Sequence, residues 1–202
     1  MTTKTDIWNM ALAYLGQPSV NEQDENDRAR KCKLFYQNAK ETALRAHDWT
    51  FARFAAPLSK LDAPNAPGCV YAYPAGAVKI LDVLAGANEG AGCFGRDAGF
   101  VCGPKTPWKT MLGPNGNRII VCRAENAWAV YTASTVDESL FDPCFTEYLA
   151  WNLARRLCMT LTADESLLSR CERGELAALD AARYANVNDE KHMARPKCSY
   201  LR

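Results

Sequence analysis

Asp142-Pro143-Cys144-Phe145-Thr146-Glu147-Tyr148-Leu149-Ala150-Trp151-Asn152-Leu153-Ala154 is the stretch that decides the fold class. Asp before Pro marks a helix start. The carboxylate accepts from the first free backbone N–H groups, and Pro at the first helical position has no N–H to leave unpaired. Beyond it Phe145, Leu149, Leu153, Leu157 and Leu161 recur every four residues, with Tyr148, Ala150, Trp151, Ala154 and Cys158 beside them. So wide an apolar surface predicts a central helix, buried on most sides. Its polar remainder is Glu147, Asn152, Arg155 and Arg156.

Three further helices are expected around it. Thr162-Ala163-Asp164-Glu165 has capping-box spacing and predicts a helix carrying Leu167, Cys171, Gly174, Ala178 and Ala181 or Ala182, fading near Asn186 to Asp189. Upstream, Asn26 caps a helix to about Ala46, on which Ala29, Cys32, Tyr36, Ala39, Ala43 and Ala46 form a seam of mostly small residues at steps of three and four. The first helix spans about Thr5 to Leu15, capped by Thr5, with Asp6 favourable at its N-terminus and Gly16 and Pro18 ending it.

From Pro57 to Val136 helical periodicity disappears and Gly and Pro accumulate. Short apolar runs replace it at Val78–Leu84, Phe100–Cys102, Arg118–Arg123 and Trp128–Thr132. Asn115-Gly116-Asn117, between Met111-Leu112 and Ile119-Ile120-Val121, is a hairpin signal. The resulting expectation is an α+β chain, mainly α: a four-helix bundle with a small antiparallel β insertion of four to six strands between helices 2 and 3. By residue, this places the bundle at 1–60 plus 140–190, the insertion at 61–139 and an extended C-terminal tail at 191–202.

The 202 residues are 48% hydrophobic and 23% charged, enough to build a sizeable core. A formal net charge of +1 lacks the basic excess of a protein that coats duplex nucleic acid. No apolar run approaches the roughly 18 residues of a membrane span, and the N-terminus has no signal-peptide pattern, so a cytoplasmic product is expected. Nine cysteines, an odd number without a CxxC, read as free thiols.

No pattern suggests catalysis, a cofactor or a metal. His47 and His192 lie on separate segments, and Cys93 and Cys102 lack the second matching pair of a zinc site. Glu22, Asp24, Glu25 and Asp27 do not fit a calcium loop and serve a helix start. The Gly-rich run 86–95 has no phosphate-loop ending. Trp8, Trp49, Trp108, Trp128 and Trp151 are dispersed and read as packing anchors rather than a base-stacking channel.

Three stretches together resemble the head-to-tail adaptor (tail tubular protein A) family of tailed bacteriophages. They are Ile7-Trp8-Asn9-Met10-Ala11-Leu12-Ala13-Tyr14-Leu15-Gly16-Gln17-Pro18; Ala29-Arg30-Lys31-Cys32 with Tyr36, then Ala43 to Ala52 through His47, Trp49 and Phe51; and Phe141-Asp142-Pro143 with Phe145, then Tyr148 to Ala154. Asp48 stands where Pro is common in the family. The resemblance implies a structural virion protein of the neck, not an enzyme. Such a protein forms a homo-oligomeric ring, usually of twelve copies, beneath the portal protein. The ring extends the DNA ejection channel, touches genomic DNA transiently and without sequence preference, and docks the downstream tail or nozzle protein, with no membrane involved. It implies that the tail, with Lys191, Arg195, Pro196, Lys197, Tyr200 and Arg202, grips the portal. It also implies that Trp8, Cys32, Tyr36, Trp49, Phe51, Phe145, Leu149 and Leu153 serve core or subunit packing. The alternatives are another neck or tail-completion protein, a stopper or terminator, or a virion-associated hydrolase, cysteine-dependent or cell-wall-cleaving.

Overall fold

The computed structural model describes residues 2–63, 68–86 and 104–191. It divides into two compact units, one of residues 1–51 with 136–202 and one of residues 52–135. The expected four-helix bundle with one small insertion is not what forms. Among the described residues four helices are accompanied by seven strands in two antiparallel sheets, so the sheets make a compact body of their own.

In the helical unit α1 spans Lys4–Tyr14, α2 Asp27–Arg45, α3 Pro143–Leu161 and α4 Glu165–Lys191. Thr3, rather than Thr5, caps α1. Its hydroxyl accepts from Asp6 N–H at 3.2 Å, while the Asp6 carboxylate accepts from Thr3 N–H at 2.9 Å. Asn26 accepts from Ala29 N–H at 2.9 Å to start α2. Asp142 accepts from Cys144 N–H at 2.8 Å, with Pro143 at the first helical position of α3.

The start of α4 differs from the sequence reading. Thr162 closes α3, its hydroxyl donating to Cys158 O at 2.8 Å. Asp164 takes the cap, accepting from Ser166 N–H at 2.8 Å and Leu167 N–H at 3.2 Å. Ala163 turns the chain between them at φ +51°, a left-handed conformation that non-glycine residues seldom adopt.

Helices α1, α2 and α4 each pack on α3. Phe145, Leu149, Leu153 and Leu157 of α3 are fully buried. The small residues of α2, Ala29, Cys32, Ala39 and Ala43, are also fully buried, as close helix approach requires. One layer is built on a missing side chain. The Trp151 indole stacks on Tyr14 at 3.9 Å, nearly parallel, and occupies the space where a Cβ on Gly174 would sit, 2.7 Å from the ring. The link from α1 to α2 is held by Asn9, which donates to Val20 O at 3.1 Å and accepts from Val20 N–H at 2.8 Å.

The sheet unit contains β1 (Arg53–Pro57), β2 (Lys60–Leu61), β3 (Cys69–Ala72), β4 (Ala77–Ala85), β5 (Trp108–Leu112), β6 (Arg118–Cys122) and β7 (Ala127–Ala133). One sheet has the order β1-β7-β4, the other β2-β3-β6-β5. Tyr71, Ile120 and Cys122 from one sheet share a core with Val83 and Ala127 from the other. The Asn-Gly hairpin forms as expected between β5 and β6. Gly116 takes φ +75°, and Gly113 N–H donates to Asn117 O at 2.7 Å. Strands β1, β2 and β3 have no counterpart among the expected runs, and the run at Phe100–Cys102 lies outside the described residues.

Candidate functional site

The three stretches that carry the family resemblance meet inside the helical unit. Trp8 of α1 meets Tyr36 of α2 edge to face at 6.1 Å. Trp49, after α2, meets Phe145 edge to face at 4.9 Å and Tyr148 at 6.4 Å, both on α3. Phe51 packs on Phe141 and Phe145. Trp8, Cys32, Tyr36, Trp49, Phe145, Leu149 and Leu153 are buried in this core, while Phe51 is half-buried. The indole N–H of Trp49 donates to Ala43 O at 2.9 Å, which fixes the ring against the end of α2.

Beside this core runs a groove of about 240 Å³ lined by Trp49, Thr50, Phe51, Leu140, Phe141 and Asn186 among others. Asn186 of α4 is its polar anchor. It accepts from Thr50 N–H at 2.8 Å and from the Thr50 hydroxyl at 3.0 Å, and donates to Asp48 O at 3.2 Å. Of the groove's two carboxylates, Asp142 is committed to capping α3, and Asp189 is exposed. The groove therefore brings apolar surface together, not an acid–base pair.

An ion pair lies next to the aromatic core. Lys40, 7% exposed, donates to Glu138 Oε1 at 2.8 Å and to Val136 O at 2.7 Å. The Tyr36 hydroxyl donates to the same carboxylate oxygen at 2.9 Å. Burial works to raise the Glu138 carboxyl, but the bonds from Lys40, a backbone bond and the bond from Tyr36 together hold it below its ordinary value. Burial, and then the neighbouring Glu138 charge, push the Tyr36 phenol up. Sequence reading missed this pair. Its one signal was a lysine in the apolar seam of α2, four residues after Tyr36.

A second polar network joins three helices. On α3, Arg156 donates to Asn152 Oδ1 at 3.0 Å, to Asn38 Oδ1 at 2.6 Å and to the Thr42 hydroxyl at 3.1 Å. Arg155 and Asn152 both donate to Glu175 of α4. Each member has a partner, so these groups orient helices and leave no free nucleophile or base.

Cys32 and His47 do not form a nucleophilic pair. Burial pushes the Cys32 thiol up to about 11, and His47 packs edge to face on Trp49 at 5.0 Å. Fifteen residues of mostly helical rise separate the two, roughly 20 Å. Among the described residues no group of three His, Cys, Asp or Glu side chains is placed to hold a metal ion, and no helix is long and apolar enough to cross a membrane.

The outward faces of the helical unit differ. Along α4, Leu176 (64% exposed), Tyr184 (71%) and Val187 (41%) share a broad face with the exposed Asp180–Arg183 ion pair. On α2, Leu34 (71% exposed) stands among Arg30, Lys33, Gln37, Asn38 and Glu41, all exposed. Lys191 ends α4, and Arg195, Pro196, Lys197, Tyr200 and Arg202 of the expected portal-gripping tail lie outside the described residues. No model of a known protein family matches this chain, and comparison with curated proteins finds no match.

Proposed function

We propose that this chain is a structural head-to-tail adaptor of a tailed bacteriophage, a ring-forming neck protein that docks beneath the portal, extends the DNA channel and receives the next tail component. The carrying observation is the convergence of the three family-like stretches. The first two pack as Trp8 on Tyr36, and the second meets the third, about ninety residues further on, as Trp49 and Phe51 on Phe145.

The surface fits the same reading. A closed ring uses heterologous contacts, in which each copy offers two unlike faces. The face of α4 that carries Leu176, Tyr184 and Val187, interleaved with Asp180 and Arg183, and the face of α2 around Leu34 are two separate surfaces for such contacts. Polar groups in the helical core are used for positioning helices, as a rigid ring segment needs.

Electron microscopy of the purified chain mixed with its portal tests the proposal. Rings seated on the portal are the expected result, and Tyr184→Arg with Leu176→Arg should abolish them while leaving the helical circular dichroism intact. A wild-type chain that stays monomeric and never binds the portal overturns it.

A further inference from the structure

We propose that Cys69 and Cys122 are an oxidisable dithiol, a cross-strand pair that closes into a disulfide tying β3 to β6. The two residues are directly opposite in the antiparallel register. Tyr73 N–H donates to Arg118 O at 3.3 Å on the same alternation, so Cys69 and Cys122 belong to the pairs that exchange backbone hydrogen bonds. Cα atoms of such pairs sit about 5.5 Å apart, inside the roughly 4.4–6.8 Å that a disulfide spans, and their Cβ atoms, roughly 5 Å apart, must close toward about 4 Å as the bond forms. Both side chains point to the face that carries Tyr71 and Ile120 into the core. Gly68 keeps the strands close there, since a Cβ on it would lie 2.7 Å from the Cys122 carbonyl oxygen.

The two thiols differ in access, and that sets the order of events. Cys69 is half-buried and lines an open cleft of about 540 Å³ with Lys60, Leu61 and Asp62. Cys122 is 3% exposed. A small-molecule disulfide such as oxidised glutathione reaches Cys69 first. The Cys69 thiolate attacks one glutathione sulfur, the glutathione S–S bond breaks, and one glutathione thiolate leaves. Cys122 then loses its proton to solvent and attacks the Cys69 sulfur of the mixed disulfide, releasing the second glutathione thiolate. The two protein thiols give up two electrons and two protons, and the oxidant takes them up as two glutathione thiols. Burial raises the Cys122 thiol, so the second step speeds up as pH rises. Cys158 on α3 and Cys171 on α4 also neighbour each other, but both are fully buried, and burial pushes Cys171 up to about 11.

The test treats the full chain with oxidised glutathione, blocks remaining thiols with iodoacetamide and maps the peptides by mass spectrometry. The expected product links the Cys69 and Cys122 peptides with loss of two hydrogens, reverts with dithiothreitol and raises the melting temperature by about 5–10 °C. Cys122→Ser should stop at a glutathione adduct on Cys69, and Cys69→Ser should leave Cys122 unmodified. A disulfide to any other cysteine, or a wild-type chain that stops at the Cys69 adduct, overturns the proposal.

Discussion

The helical and sheet units reach a folded core by different means. In the helical unit a few large side chains are enclosed completely: Trp8, Trp49 and Phe145, with Leu149, Leu153 and Leu157 from the same helix, are at most 1% exposed. Among the described residues of the sheet unit, Tyr71, Val83, Ile120, Cys122 and Ala127 form a buried cluster of mostly smaller side chains behind a partly buried fringe of Leu58, Cys69, Tyr73, Ile80 and Trp108. The two also differ in charge. Residues 52–135 hold eight Lys and Arg against five Asp and Glu, the rest of the chain sixteen against eighteen. The near-neutral total conceals this, so net charge argues against nucleic-acid contact for the helical unit only.

Truncating one core residue in each unit probes the difference most strongly. Phe145→Ala should cost about 4 kcal/mol, because the ring contacts Trp49, Phe51, Phe141 and Tyr148 and leaves a cavity that helices do not collapse into. Ile120→Ala should cost about 3 kcal/mol. Urea titrations followed at 222 nm give both values, and a larger loss for Ile120 would reverse the comparison.

The Lys40–Glu138 pair is the polar counterpart. Glu138→Gln removes the charge that balances a lysine only 7% exposed, leaving it the Val136 carbonyl, and should cost about 3 kcal/mol, whereas Lys40→Met combined with Glu138→Leu should recover most of that loss. The folded Glu138 carboxyl is held low, so the unfolded chain binds its proton more readily. Its contribution is present in full above the unfolded value of about 4.3 and is lost as pH falls through the lower folded value. Denaturant midpoints measured from pH 7 down to pH 3 should fall more for wild type than for the double variant. Parallel curves would remove Glu138 from the account.

The helices were legible because their signals are local. Asp142-Pro143 and Asn26 act on backbone groups two or three residues away, and Phe145 to Leu157 repeat on one face. Strands β1 to β3 were not legible. Arg53–Pro57 is half exposed along its length, so no alternation marks it, and Lys60–Leu61 is too short to show one. β4 was found by its apolar run, although its register shifts at Ala77/Lys79 and Ile80/Asp82 blur the period of two. In the candidate site the aromatic members were visible as a motif. Asn186 and Glu138 were not, because their partners Thr50 and Lys40 are about a hundred or more residues away and nothing local distinguishes them from surface polar groups.

Gly174→Ala sharpens the packing side at a smaller scale. An alanine in a helix interior ordinarily gains about 1 kcal/mol over glycine. Here the new Cβ meets Trp151 at 2.7 Å, and the ring cannot retreat because Tyr14 stacks on its other face. A net loss of about 2 kcal/mol is expected, accompanied by a changed near-ultraviolet tryptophan signal. A gain in stability would mean that the Tyr14–Trp151–Gly174 layer is loose.

The smallest effect separates backbone from packing in both units at once. Gly16, after α1, and Gly116, in the β5–β6 turn, have φ of +65° and +75°, and a Cβ on either meets nothing within 4 Å. Gly16→Ala and Gly116→Ala therefore change the same left-handed backbone term and no contact, at about 1 kcal/mol each. Asn, which tolerates that conformation better, should recover part of the loss at both positions. Equal shifts in the denaturant midpoint assign the contrast between the units to their cores. A near-zero shift at Gly116 alone would show that the hairpin relaxes to another turn, and the sheet unit would then owe its register to β3 and β6 rather than to the Asn-Gly signal.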